Sequence, residues 1–160
     1  MSHVASNDVV ARLSGTGLEY LQRIVSGEIP GVPIGETLGF RVAEVEKGRV
    51  LVVGRPDRRS YNLIGSVHGG WAAAVLDTAL ALSTLSSLEA DQSFTTVDIR
   101  INYLRPLTRD TGTVRAEGRV LQVGRRLAYA EASLVDAGGK LACHGTGSCL
   151  ILPREGSRPA

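Results

Sequence analysis

The chain changes its hydrophobic rhythm along its length, and each rhythm predicts a different element. Leu18, Leu21 and Val25 recur at helical spacing on one face of a short segment. Thr16 and Glu19 stand as N-cap and N3 of a capping box at its start, and Gly27 supplies a stop. The two prolines and the glycine between Glu28 and Pro33 predict a linker. From Phe40 the rhythm shortens. Val42 to Glu46 and Val50 to Arg55 flank Lys47-Gly48 and predict a hairpin. Gly69 to Leu88 is a long run of helix formers. Four strand-like stretches follow: Phe94 to Leu104, Thr113 to Val123, Leu127 to Asp136 and Leu141 to Leu152. Turn-forming segments separate them. In the first, Val97, Ile99, Ile101 and Tyr103 alternate with Asp98, Arg100 and Asn102, the mark of a half-buried strand. That parity puts Thr96 with Asp98 and Arg100, opposite Val97.

Consecutive strands with short turns predict an antiparallel sheet, and the long helix must cover it. Trp71, Ala72, Val75, Leu76, Ala79 and Leu82 lie round the whole helix circumference. A helix apolar on every side is expected to be buried on every side. One α+β domain results, an antiparallel sheet of about six strands wrapped round one central helix, with a short N-terminal helix. The expected boundaries are an arm and short helix over 1–33, the main domain over 34–152, and a loose tail over 153–160.

Composition narrows the reading. The chain has 160 residues, enough for a single domain with a real core. Lys and Arg number 18 against 16 Asp and Glu, so net charge points to no polyanion, and 4% aromatics leaves no stacking platform for single-stranded nucleic acid. Cys143 and Cys149 make neither a disulfide framework nor a zinc site, and no metal-ligand spacing appears among the histidines. Met1 to Asn7 lacks the basic and apolar regions of a signal peptide, so a cytoplasmic location is expected. A membrane span is disfavoured by Asp77, which costs roughly 2.5–3.5 kcal/mol at a bilayer centre.

Asp77 carries the chemistry. It is the only formally charged side chain between Arg59 and Glu89. A carboxylate in such surroundings needs a use or a partner. Just upstream, Gly69 and Gly70 open the helix, where free N–H groups and the positive dipole end stabilise an oxyanion. Asp77 lies eight residues on, roughly 12 Å along one helix. One chain's Asp77 and Gly69 are too far apart to serve one carbonyl, whereas two antiparallel copies can share two sites.

Asn62-x5-His68-Gly69-Gly70-x6-Asp77, followed by Thr95-Thr96-Val97-Asp98 and Asn102-Tyr103-Leu104-Arg105-Pro106, resembles the PaaI-like branch of the hotdog-fold acyl-CoA thioesterases. The resemblance spans about Gly39 to Leu152. It implies a hotdog fold paired into dimers and often tetramers, and hydrolysis of an acyl-CoA thioester without metal or redox cofactor. By that resemblance Gly69 donates its N–H to the thioester carbonyl, and Asp77 of the facing subunit is general base or nucleophile. Asn62 and His68 orient the site or its water, and Thr96 supplies a hydroxyl. Gly70, Val67 and Tyr61 are candidate substrate contacts. Coenzyme A phosphates call for local basic groups. Arg105, Arg125 and Arg126 are the first candidates, with Arg109 and Arg58-Arg59 behind them.

Two rivals share the fold. A hotdog dehydratase or hydratase needs a histidine and a carboxylate poised over Cα–Cβ. A non-catalytic acyl-CoA sensor needs only the binding pocket. His144, on the last strand without an acidic neighbour in sequence, reads as structural.

Overall fold

Residues 14–154 are described by a computed structural model. Most of the expected N-terminal arm, and the tail beyond Arg154, lie outside the described residues. The element order is α1 (Gly17–Val25), α2 (Pro33–Leu38), β1 (Phe40–Glu46), β2 (Arg49–Gly54), α3 (Gly69–Leu85), β3 (Gln92–Tyr103), β4 (Val114–Val123), β5 (Leu127–Val135) and β6 (Leu141–Pro153). All six strands form one antiparallel sheet in the order β1-β2-β4-β5-β6-β3. The strand that follows α3 therefore crosses to the far edge.

The sheet curls round α3. Val50, Val52, Val114, Ala116, Ala130 and Leu134 face the helix and are almost wholly buried against Val75, Leu76, Ala79 and Leu80. Close approach is set at Gly118, where a Cβ would stand 2.1 Å from the Ala79 carbonyl oxygen. No side chain larger than hydrogen fits there without moving the backbone. On the outward face, Leu51 is 2% exposed beneath a lattice of charge. Arg49 there reaches Glu44, Glu46 and Glu117.

Three expectations need correction. The stretch around Pro33 is not only linker: Pro33 opens α2 at N1, and Gly39 ends it in the left-handed region, φ 74°. Trp71 Nε1 donates to the Leu38 carbonyl at 2.7 Å and ties α2 to α3. β6 runs one residue further than expected, through Pro153. And α3 is not buried on every side. Gly70 is exposed, and Ala73, Ala74, Asp77 and Thr78 are half-buried, a stripe at i, i+3, i+4, i+7 and i+8 spacing that the curled sheet does not reach.

The N-terminal helix is stitched to this body. α1 forms with the expected Thr16–Glu19 capping box. Its Gly17 N–H donates to the Leu88 carbonyl at 3.1 Å, and Leu21 is fully buried in the common core. Burial of that one leucine stabilises the docked helix by roughly 1.5–3 kcal/mol. Among the described residues no helix is long and apolar enough to cross a membrane.

Candidate active site

The site is built along the groove between α3 and the edge strand β3. At one end stands the N-terminus of α3. His68 is its N-cap, and its Nδ1 accepts the Gly70 N–H at 2.8 Å. The ring proton therefore sits on Nε2. Gly70's amide is committed to this cap. Gly69's N–H, first in the helix, has no partner among the described residues and is the amide left to receive an oxyanion.

The Gly69 peptide is held from the other side. Tyr103 Oη donates to the Gly69 carbonyl at 2.9 Å, and a Cβ on Gly69 would meet the tyrosine ring at 3.2 Å. Burial, and after it the nearby Cys143 thiol, raise the Tyr103 phenol above its ordinary value, so it remains a donor. Beside this pair lies a cavity of about 300 Å³ lined by Val67, Gly69, Ala72, Tyr103, Leu107 and Cys143 among others. Its walls are mainly apolar, which suits a hydrophobic group.

Further along the groove Asp77 is half-buried on the open stripe of α3. Thr96 Oγ1 donates to its Oδ1 at 3.1 Å. Simple alternation points Thr96 away from the helix. A β-bulge corrects this: Thr96 pairs with Cys149 and Asp98 with the next residue, Ser148, so Val97 is surplus. Val97 turns outward, 59% exposed, and Thr96 joins Ile99 and Ile101 on the helix side. Asp98 stays outside and accepts from the Ser148 hydroxyl.

Asn62 works through its own loop. Its Oδ1 accepts from the Ile64 and Ser66 N–H groups at 3.0 and 3.2 Å, and its Nδ2 donates to Ser66 Oγ at 2.9 Å. The loop then returns as Tyr61 bridges Val67, and His68 N–H donates to the Ser60 carbonyl at 2.7 Å. Asn62 thus sets where His68 and Gly69 begin the helix.

The arginines divide. Arg105 faces Asp136, 3.5 Å away. Arg125 and Arg126 turn between β4 and β5, at the end of the sheet where α3 finishes. That is the opposite end of α3 from Gly69. His144, which has no acidic neighbour in sequence, meets one in space: β5 brings Glu131 within 3.4 Å on the outer face. Neither cysteine is bonded, and both are buried on β6. No group of metal-ligating side chains occurs among the described residues.

A curled antiparallel sheet round one helix, with a bare amide at the helix start and a carboxylate on its open stripe, defines a hotdog-fold protein. The family model of the thioesterase superfamily matches residues 64–143, half of the chain, and the chain belongs to that superfamily. It is 26% identical over 108 residues to the 1,4-dihydroxy-2-naphthoyl-CoA hydrolase of Listeria monocytogenes, covering 68% of this chain and 86% of that protein. It is 27% identical over 106 residues to the proofreading thioesterase EntH of Klebsiella pneumoniae, covering 66% and 76% respectively. Among solved structures it resembles a mutant of the phenylacetic acid degradation protein PaaI from Thermus thermophilus, at 29% identity and a TM-score of 0.68. That match covers 74% of this chain and 98% of the other.

The sequence reading missed Tyr103 as a prop of the Gly69 peptide. The available signal was an aromatic residue ending the alternating strand, which by itself predicts only a wall.

Proposed function

We propose that this hydrolase cleaves an acyl-CoA thioester carrying a small or aromatic acyl group, as a homodimer with two shared sites. The observation that carries the reading is the pair of unlike groups on one open helix stripe: an uncommitted Gly69 amide at its start and the Thr96-held Asp77 two turns on. The partner helix, running antiparallel, brings its Asp77 to this chain's Gly69. The thioester carbonyl oxygen accepts the Gly69 N–H, where the helix dipole favours developing negative charge. Asp77 takes a proton from water as the water oxygen attacks the carbonyl carbon. The C–S bond then breaks and the sulfur receives the proton. Direct attack by the Asp77 carboxylate, followed by hydrolysis of an anhydride, uses the same geometry. Thr96 orients the carboxylate, Asn62 and His68 hold the helix start, and Gly70, Val67 and Tyr61 border the bound thioester. No cofactor is required by this route.

An aromatic or compact acyl group suits the apolar cavity beside Gly69. The aromatic acyl-CoA named for the Listeria relative supports the same preference. The test is a panel of acyl-CoA esters with detection of the freed thiol, run beside sedimentation of the enzyme. Release of CoA by a dimer or larger assembly is the expected result. A monomer with full turnover overturns the shared site, and absence of thiol release over the panel overturns the activity.

A further inference from the structure

A second hollow, of about 500 Å³, opens on the surface beside the helix start and is lined by Arg55, Pro56, Asp57, Arg58, Tyr61 and Arg109. Its three guanidinium groups come from separate places in the chain: the end of β2, the turn after it and the turn before β4. Elsewhere arginines such as Arg23, Arg49 and Arg119 reach carboxylates. Among the described residues Arg55, Arg58 and Arg109 reach none. The single acid on the lining, Asp57, is already engaged: Arg59 Nη2 and Nε donate to its Oδ2 at 2.7 and 2.9 Å. Arg59 holds the Asp57 carboxyl below its ordinary value, so it stays ionised and paired.

Three like charges facing one open space repel each other unless an anion lies between them. Planar guanidinium forks match phosphate oxygens in both geometry and charge. The hollow also leads toward the site. Tyr61 is shared with a smaller hollow of about 280 Å³ that His68 and Gly70 border. A ligand with phosphates in the first and a thin neutral arm passing Tyr61 would end at the helix N-terminus.

We infer that Arg55, Arg58 and Arg109 form the phosphate-binding subsite for the nucleotide end of the coenzyme A ester, on the same chain that offers Gly69. This rests on the acyl-CoA reading above and goes beyond it in naming the anchor. Coenzyme A presents a diphosphate and a 3′-phosphate, enough anionic oxygens to engage three arginines at once. The rival anchor is the Arg125–Arg126 turn of the partner chain.

The test is calorimetric binding of CoA, and of phosphate-free pantetheine, to the whole protein. The variants are Arg55→Ala/Arg109→Ala, Arg125→Ala/Arg126→Ala and, as control, Arg100→Ala on the outward face of β3. The unmodified protein should bind CoA more tightly than pantetheine. In Arg55→Ala/Arg109→Ala that preference should fall tenfold or more, and Arg→Lys at both positions should restore part of it. The salt dependence of CoA binding should flatten in the alanine variant. Unchanged CoA affinity in that variant, loss only in Arg125→Ala/Arg126→Ala, or equal binding of CoA and pantetheine by the unmodified protein each overturns the proposal. CoA binding sensitive to Arg55 and Arg109 but without hydrolysis would instead keep this subsite and remove the thioesterase reading. Thermal unfolding confirms that these exposed substitutions leave the fold in place.

Discussion

Thr96 Oγ1 donates a hydrogen bond to Asp77 Oδ1 across 3.1 Å, and it can do so because Val97 is an extra residue in the edge strand. The bond fixes one oxygen of a half-buried carboxylate, and the other has no hydrogen-bond partner among the described residues. Asp77→Asn should lower turnover by about 10²–10⁴-fold, the usual contribution of a positioned base, with no change in the circular dichroism spectrum. Thr96→Val should cost less, about tenfold in kcat, since it loosens the carboxylate without removing it. Steady-state kinetics on any hydrolysed acyl-CoA decides this. Full activity in Asp77→Asn would remove the carboxylate from the mechanism.

His68 caps α3 through Nδ1. His68→Ala should destabilise the chain by about 1 kcal/mol, the worth of a side-chain N-cap. His68→Asn should recover most of that loss, because an amide oxygen can accept the same N–H. Urea unfolding of the two variants measures both values. A loss of activity that Asn does not restore, alongside recovered stability, would give His68 a second task through Nε2.

Burial pushes the Cys143 thiol from its ordinary 9.0 up to about 11. Cys149 moves the same way, again chiefly through burial. Between pH 9 and 11 the unfolded chain gives up the Cys143 proton while the folded chain keeps it. Stability from this source is therefore fully present below pH 9 and falls as pH rises toward 11. Denaturant midpoints across that range should decline in the parent more than in Cys143→Ala. At pH 7.5, a buffer condition of about neutral pH, thiol reagents should leave both cysteines unmodified until the fold opens.

Gly118 lets β4 lie against α3. Adding a methyl group places carbon 2.1 Å from the Ala79 carbonyl oxygen, which is backbone and cannot rotate aside. Gly118→Ala should lose more than the roughly 1–3 kcal/mol typical of overpacking. Gly31→Ala, where nothing lies within 4 Å of the added carbon, should leave the melting temperature nearly unchanged. Equal melting temperatures for the two variants would show that the helix and sheet can separate at little cost.

Much of this fold was legible from residue pattern. Period-two runs and glycine turns located every strand, and the apolar helix with its lone Asp77 located the centre. What pattern could not carry was the third dimension. Alternation along β3 put Thr96 on the wrong face, because a surplus residue becomes visible only when the partner strand is counted against it. The helix circumference looked evenly apolar, yet Gly70, Ala73, Ala74, Asp77 and Thr78 share one uncovered stripe. Their small size was the overlooked signal. α2 was hidden by Pro30, Gly31 and Pro33, although Pro33 at its first position and Gly39 behind it are helix punctuation. Arg58 and Arg109 were already phosphate candidates in the sequence, but no spacing rule shows that they share one hollow with Arg55.

The clasp between Gly17 and Leu88 changes what counts as the minimal protein. The stretch recognised by the family model, 64–143, omits β1, β2 and most of β6, while α1 plugs the far end of the central helix with Leu21. A gene fragment trimmed to the recognised limits would remove Val50, Val52 and Gly147 from the core and uncover Leu80, which packs against Gly147. An expression clone should start ahead of Ser14, or the first helix's socket becomes a sticky, aggregation-prone wound.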